Sequence, residues 1–501
     1  GITGAGIMRE AVRCGLKTLL VEQRDFSWGT SSRSGQLVHG GLRYLKEGNV
    51  KLTYQSVKER ERLLYELPGL VKSFGLMMTI YKESLIQKLI VRAGLFVYDI
   101  MSRHLKRHKY SAKEVIAQTP DIQTSNLTCG FLFNESISDD SRLVFRVLQQ
   151  ATEDGGTALN YCKVSGLLKE KGRVSGVTLK DQIGKTKLDV HARQVINATG
   201  VWVDSLRKEV RKANRKHIRP LKGSHLIFSA DQLPVKNSIV MTHPVSKRPG
   251  FAIPWEGRIL VGNTDIDFSG DLDIETAISS EEVDYLLENI HHHFPGLGIE
   301  KKDIIATFSG VRPVVDSGKS DPSAESRDHV VWHEDNLLTV TGGKLTTFRL
   351  IALDVLKASR RSLGALPDLG KRQRFFSPLK QVTSAADRLD KKKLERIQGR
   401  YGNQAMELID AAKEGELEEI PGTFTLWAEL RWAAKKEAVV HLEDLMLRRT
   451  RIALLLPIGG RQFLPRIRNI CQQELGWNGE KWQQEEKDYL EKWQRFYSVP
   501  G

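Results

Sequence analysis

Cysteine is scarce in this chain, and its four copies, Cys14, Cys129, Cys162 and Cys471, stand far apart. None forms a Cys-x-x-Cys pair, so no metal knuckle and no disulfide framework is expected, and a reducing compartment fits best. Also lacking is any run of about 18 uncharged apolar residues, so no spanning helix is expected. There is no internal repeat, low-complexity tract, zinc-finger spacing, RNA-binding signature or basic-region helix. Those last absences matter because Lys and Arg number 76 against 61 Asp and Glu, a net charge of +15. Nucleic-acid binders of this size usually carry a recognisable module. No nucleic-acid partner is therefore expected, and the excess charge is assigned to an anionic membrane surface or to the attraction of an anionic substrate. At 501 residues and 40% hydrophobic content, the chain should hold two or more globular domains.

What is present begins at the first residue. Gly1-Ile2-Thr3-Gly4-Ala5-Gly6 leads into a helical stretch to about Gly15, and Lys17 to Glu22 reads as a buried strand closed by an acid. Glycines let a backbone approach a pyrophosphate, the helix N-terminus stabilises its charge, and an acid about 20 residues on binds ribose hydroxyls. Glu22 stands at that distance. The fingerprint's strand and first glycine would precede Gly1, so the chain is expected to begin inside the motif. Gly1 and Gly4 are then its second and third glycines.

Directly after comes a loop crowded with hydroxyls, a histidine, paired glycines and an arginine: Thr30, Ser31, Ser32, Arg33, Ser34, Gly35, then His39-Gly40-Gly41-Leu42-Arg43-Tyr44. Such a loop can hold a redox cofactor at one end and an anion at the other. Further on, Val195-Ile196-Asn197-Ala198-Thr199-Gly200-Val201-Trp202 is an apolar strand followed by small residues that permit close approach of a cofactor. Gly342-Gly343-Lys344-Leu345-Thr346-Thr347 follows the strand Leu337 to Val340 and opens a second helix N-terminus, suited to an anion or to the electron-rich edge of a flavin. Residues 220–310 read as a mostly antiparallel sheet. Pro367, Gly370 and Pro378 mark a linker, and beyond it the chain is helical in period.

Taken in order, the Thr30 to Tyr44 loop, Asn197-Ala198-Thr199-Gly200-Val201-Trp202, Lys222-Gly223-Ser224-His225, Ser309-Gly310-Val311-Arg312-Pro313, Gly342 to Thr347, and Leu442 to Arg451 closely resemble the FAD-dependent glycerol-3-phosphate dehydrogenases. The resemblance covers nearly the whole chain. It departs at Gly35-Gln36, where the family usually has Ser-Lys, and at residues 72–84, which lack a proline-rich pattern. It lacks an EF-hand pattern and so is nearer the bacterial form.

The resemblance implies an α/β fold, α+β overall. A glutathione-reductase-like FAD-binding domain (1–75, 137–215 and 305–370) is interleaved with an antiparallel-sheet substrate domain (76–136 and 216–304), and an all-helical domain follows (380–501). It further implies oxidation of sn-glycerol 3-phosphate to dihydroxyacetone phosphate, with electrons passing to membrane quinone from an enzyme peripheral on the cytoplasmic face of the cell membrane. A homodimer is allowed. FAD is expected against Gly1, Gly4, Glu22, Thr30, Ser31, Ser32, His39, Gly40, Gly41, Leu42, Val164, Thr199, Gly200, Trp202, Gly343, Lys344, Leu345 and Thr346.

The chemistry needs a receptor for a phosphate dianion, which favours the planar fork of arginine. Arg43, Arg312 and Arg327 are the candidates, with Tyr44 and Lys344 adding donors; Arg327 could instead pair with Asp328. Loss of the C2 hydroxyl proton needs a base. His225 is preferred because imidazole titrates near neutrality, against the alternative of a core histidine bonded to backbone. Catalysis is thus assigned to His225, Arg312 and Arg327. His291-His292-His293 looks like a metal cluster but is read as a solvated helix end, and no metal is expected. Asp139 and Asp140 read as an N-cap. Residues 86–108 mix apolar and basic side chains, either as an interfacial amphipathic helix or as a helix packed on the protein with a basic end. Two other readings share the flavoprotein frame: an oxidase returning electrons to oxygen, and an amine or amino-acid oxidase. A basic flavin-containing nucleic-acid-binding protein is the reading from a different class.

Overall fold

The computed structural model describes residues 1–46, 48–81, 94, 98, 101, 108–210, 218–321, 325, 328–370, 373–379 and 384–501, and the backbone alone of residues 43 and 46. The expected amphipathic stretch at 86–108 falls almost wholly outside these residues, and so does Arg327.

Gly1 precedes a helix over Ile2–Arg13. Ile2, Ala5 and Met8 recur at helical spacing and pack on Val144, Leu148 and Ala151 of the helix Asp140–Glu153. Asp139 caps that second helix, its side chain accepting from the Arg142 amide at 3.0 Å, as its position suggests. The strand Leu19–Val21 runs parallel to Thr157–Leu159. Val195–Asn197 runs parallel to Leu337–Gly342, which turns back against His329–Glu334. A hairpin of Cys162–Glu170 and Arg173–Asp181 turns at Gly172 and is extended by Lys187–His191.

The second layer is a nine-stranded sheet, antiparallel except where Ser238–Thr242 runs parallel to Lys72–Tyr81. Ile304–Val315, expected in the cofactor-binding part, pairs with Ile218–Ser229 along its length and so belongs to this sheet. Side chains alternate across a strand. Leu226 and Phe228 therefore face the helix Ser280–His293, meeting Val283, Leu286 and Ile290. Ile227 faces the other way, into Leu442, Met446 and Leu454. His225 shares the face of Ile227. The three-histidine run does end that helix, but it is not solvated throughout: His293 is buried, its Nδ1 lying 3.0 Å from the Asn289 carbonyl oxygen. At helical spacing from Leu286 and Ile290, His293 falls on the buried face of the helix. Among the described residues no His, Cys, Asp and Glu group could hold a metal ion.

Beyond the linker the chain is helical, from Lys391–Tyr401 to Gly479–Phe496. This part joins the rest through buried ion pairs. Asp25 is bound by Arg448 and Arg449. Arg400 reaches Asp139 at 3.0 Å, and Arg142 reaches Glu437 at 2.6 Å. Burial pushes the Asp25 carboxyl up, but Arg449 and Arg448 outweigh it and hold the group below the usual carboxylate range. Breaking such a pair by removing one partner costs roughly 3–5 kcal/mol, because the other charge stays buried. The pairs therefore fix how the helical part sits against Asp25 and the start of the helix Asp140–Glu153.

Candidate active site

One cavity of about 2470 Å³ separates the parallel strands from the nine-stranded sheet. Roughly 300–1,000 Å³ suffices for a drug-sized ligand, so this space suits a large ligand and a small one together.

At one end the first helix points its N-terminus into the space. The Ile2 amide donates to Ser31 Oγ at 3.0 Å, which joins the glycine turn to the hydroxyl loop. Glu22 stands beside that turn, with Oε2 3.6 Å from the Gly1 nitrogen. Thr199, Gly200, Trp202 and Val164 continue the wall, with Thr30, Leu42, Leu345 and Thr346. Thr346 Oγ1 donates to the His39 carbonyl at 3.2 Å and ties the two glycine-rich loops together. Gly41 has φ +81°, and a Cβ there would lie 2.3 Å from the Tyr44 ring, so only glycine lets the chain turn here.

At the other end lie the candidate substrate groups. Tyr44 is buried, and Lys344 Nζ sits 4.0 Å over its ring centroid. Arg312 projects across Gly223, where a Cβ would fall 2.0 Å from Nη2, and its Nη1 donates to Asp265 Oδ1 at 2.9 Å. His225 stacks on Phe308 with centroids 4.7 Å apart and planes 16° apart. Its ring makes no hydrogen bond among the described residues, so it is not the backbone-bonded core histidine that the sequence also allows.

On this wall the buried atoms His225 Nδ1 and Lys344 Nζ lack a hydrogen-bond partner among the described residues. Leaving such a group unsatisfied costs roughly 1–3 kcal/mol, which a polar ligand in the cavity would offset. Burial and then the charge of Arg312 lower the His225 pKa to about 3. Burial lowers Lys344 to about 7, against the pull of Glu135 and Asp328.

The sign of the lysine shift gives a prediction. Lys344 is an ammonium below pH 7 or so and a neutral amine above it, whereas an ordinary lysine keeps its charge to about 10.4. Affinity for inorganic phosphate should therefore fall as pH rises through about 7. Phosphate itself gains charge over that range, which acts in the opposite direction. Lys344→Arg should remove the fall in a pH series of phosphate titrations, and persistence of the same fall in that variant would assign it to another group.

Most of the expected residues are thus brought to one space. Ser32 and Gly40 are set behind the wall. The Ser32 carbonyl accepts from Arg451 Nη2 at 2.8 Å, and the Gly40 amide donates to Glu135 Oε2 at 3.1 Å. Of Arg43 only the backbone is described, on the helix Leu42–Lys46. Unforeseen on the wall are Glu135, Lys247, Arg248, Asn263 and Asp265. Asp265 stands out in sequence only as the end of a strand-and-turn pattern, and Arg248 carries no signal beyond a turn before Pro249.

Residues 1–357 match the FAD dependent oxidoreductase family, and residues 365–482 match the C-terminal domain of alpha-glycerophosphate oxidase. The chain belongs to the FAD-dependent oxidoreductases, and it is an enzyme of that class. It is 33% identical to the aerobic glycerol-3-phosphate dehydrogenase of Bacillus subtilis over 477 residues, covering 90% of this chain and 85% of that one. Against the protein of the same name from Staphylococcus haemolyticus the identity is 31%, with the same coverage. Within its class the chain therefore falls in the family of the aerobic glycerol-3-phosphate dehydrogenases. Among solved structures, the glycerol-3-phosphate dehydrogenase of Bacillus halodurans complexed with FAD superposes with a TM-score of 0.79 at 24% identity, over 99% of this chain and 93% of that one. The L-alpha-glycerophosphate oxidase of Mycoplasma pneumoniae, with FAD bound, gives 0.58 at 16%, over 76% and 97%. Both likenesses are of fold.

Proposed function

We propose that the enzyme oxidises sn-glycerol 3-phosphate at C2 to dihydroxyacetone phosphate and delivers the electrons to membrane quinone. The observation that carries this reading is a buried, neutral imidazole sharing one cavity with Arg312, Tyr44 and Lys344, opposite the helix N-terminus and Glu22.

FAD, when bound, supplies the acceptor for the hydride that leaves C2. Gly1, Gly4 and the helix behind them would take its pyrophosphate, Glu22 its ribose, and Gly343 to Thr346 its flavin edge. Arg312, Arg43 and Arg327, with Lys344 and Tyr44, are proposed to hold the phosphate, which leaves C2 and its hydroxyl for the remaining wall. His225 then takes the hydroxyl proton as the C2 carbonyl forms. Its low pKa owes part of its depression to Arg312. A phosphate dianion on Arg312 offsets that charge and raises the basicity of the imidazole once substrate is bound.

Attachment to an anionic membrane surface belongs to the same reading and is supported by the net charge of +15. Among the described residues no helix is long and apolar enough to cross a membrane. The acceptor is decided by an assay. With glycerol 3-phosphate present, a soluble quinone analogue should be reduced without oxygen, and little peroxide should form in air. Stoichiometric peroxide with no quinone reduction would make the enzyme an oxidase instead.

A further inference from the structure

Asp265 is buried and holds two arginines at once. Its Oδ1 lies 2.9 Å from Arg312 Nη1, and its Oδ2 lies 2.8 Å from Arg248 Nη2. Arg248 Nη1 also donates to the Asp265 backbone oxygen at 2.8 Å. All three residues line the cavity that holds His225 and Lys344. The trio sets two guanidinium charges against one carboxylate, and the Arg248 side chain, which lines the cavity, remains 33% exposed. A carboxylate that only needed neutralising would need one arginine.

The turn that carries Arg248 is held firmly. The His243 amide donates to the Arg248 carbonyl at 2.9 Å, and the Lys247 amide donates to the His243 carbonyl at 3.1 Å. His243 Nδ1 accepts from the amides of Val245 at 3.2 Å and Ser246 at 3.3 Å. The imidazole itself stacks on Tyr285, with centroids 3.9 Å apart and planes 5° apart. Arg248 is thus positioned before any ligand arrives, which lowers the ordering cost of binding.

We propose that Arg248 is a further phosphate-holding arginine of this active site, aligned with Arg312 by their shared Asp265, and that the pair selects a phosphorylated polyol over its unphosphorylated form. This deepens the reading of the site given above and rests on it. Two planar forks offer several N–H donors to one tetrahedral dianion, a match that a single arginine or a lysine cannot make. Lys247, on the same turn, adds charge at the rim.

The test uses FAD-loaded enzyme, inorganic phosphate as the probe, and the variants Arg248→Gln and Arg248→Lys. Arg248→Gln should weaken phosphate binding by calorimetry, and raise the glycerol 3-phosphate KM, each by about ten- to a hundredfold. Its kcat should change far less, and its slow turnover of glycerol should hold, so the preference for the phosphorylated substrate falls by the same factor. Arg248→Lys should lie between the two. An unchanged phosphate affinity in Arg248→Gln overturns the proposal, and so does an equal loss for glycerol and glycerol 3-phosphate, which would mark a structural clamp. If Arg248→Gln fails to fold, Arg248→Lys decides, and wild-type phosphate affinity there overturns it. Should wild-type enzyme bind phosphate yet ignore glycerol 3-phosphate, the functional reading fails while the calorimetry still decides on Arg248.

Discussion

Replacing His225 with glutamine is expected to lower kcat for glycerol 3-phosphate by about 10²–10⁴-fold, the usual contribution of a positioned general base. Glutamine keeps a polar planar group but cannot take the proton. The ring packs on Phe308 and makes no hydrogen bond among the described residues, so its loss removes contact area without stranding a partner. FAD content and KM should therefore change little. The pH profile adds a second check. With its pKa lowered to about 3, His225 is already deprotonated across the working range, so kcat/KM should show no acid limb near the ordinary histidine value of about 6.5. A kcat within a few-fold of wild type in His225→Gln would place the base elsewhere, and Lys344 would be the next group to test.

Arg312→Ala should lower kcat/KM by about ten- to a hundredfold. A charge-assisted contact to phosphate is worth roughly 1.5–3 kcal/mol, and 1.36 kcal/mol corresponds to a tenfold change. The loss grows if C2 is no longer placed for transfer. The fold should survive, because Arg248 stays at 2.8 Å from Asp265 and keeps that buried carboxylate paired. Arg312→Lys should recover only part of the activity, since lysine lacks the fork. Steady-state kinetics against glycerol 3-phosphate and glycerol read both effects. An Arg312→Ala enzyme with wild-type kcat/KM and wild-type preference would show that phosphate binds at another place.

The features legible in the sequence are those carried by neighbours along the chain. Helical spacing of Ile2, Ala5 and Met8, the strand before Glu22, the cap at Asp139 and the two glycine-rich loops each declare themselves within a few residues. The elements that hold the site together are long-range and left fainter traces. Asp265 meets Arg248 because the hairpin pairs Phe251 with Gly262 and Trp255 with Arg258, and that register, continued past its last pair, sets residue 248 opposite residue 265. No periodicity records such a register. Ser32 and Gly40 stand in the right loop, yet their backbones are turned to Arg451 and Glu135, partners far away in the chain. The basic run ending in Arg448, Arg449 and Arg451 reads locally as a charged helix. Its burial against Asp25, Asp139 and Asp140 follows only once the helical part is docked.

The central claim, a flavin reduced by a phosphorylated secondary alcohol, is tested most directly by anaerobic titration of the FAD-loaded enzyme while its visible absorption is followed. Glycerol 3-phosphate should bleach the flavin band rapidly, whereas lactate at the same concentration should leave it in place and glycerol should bleach it only far more slowly. No bleaching by glycerol 3-phosphate, or equal bleaching by glycerol or lactate, would contradict the account.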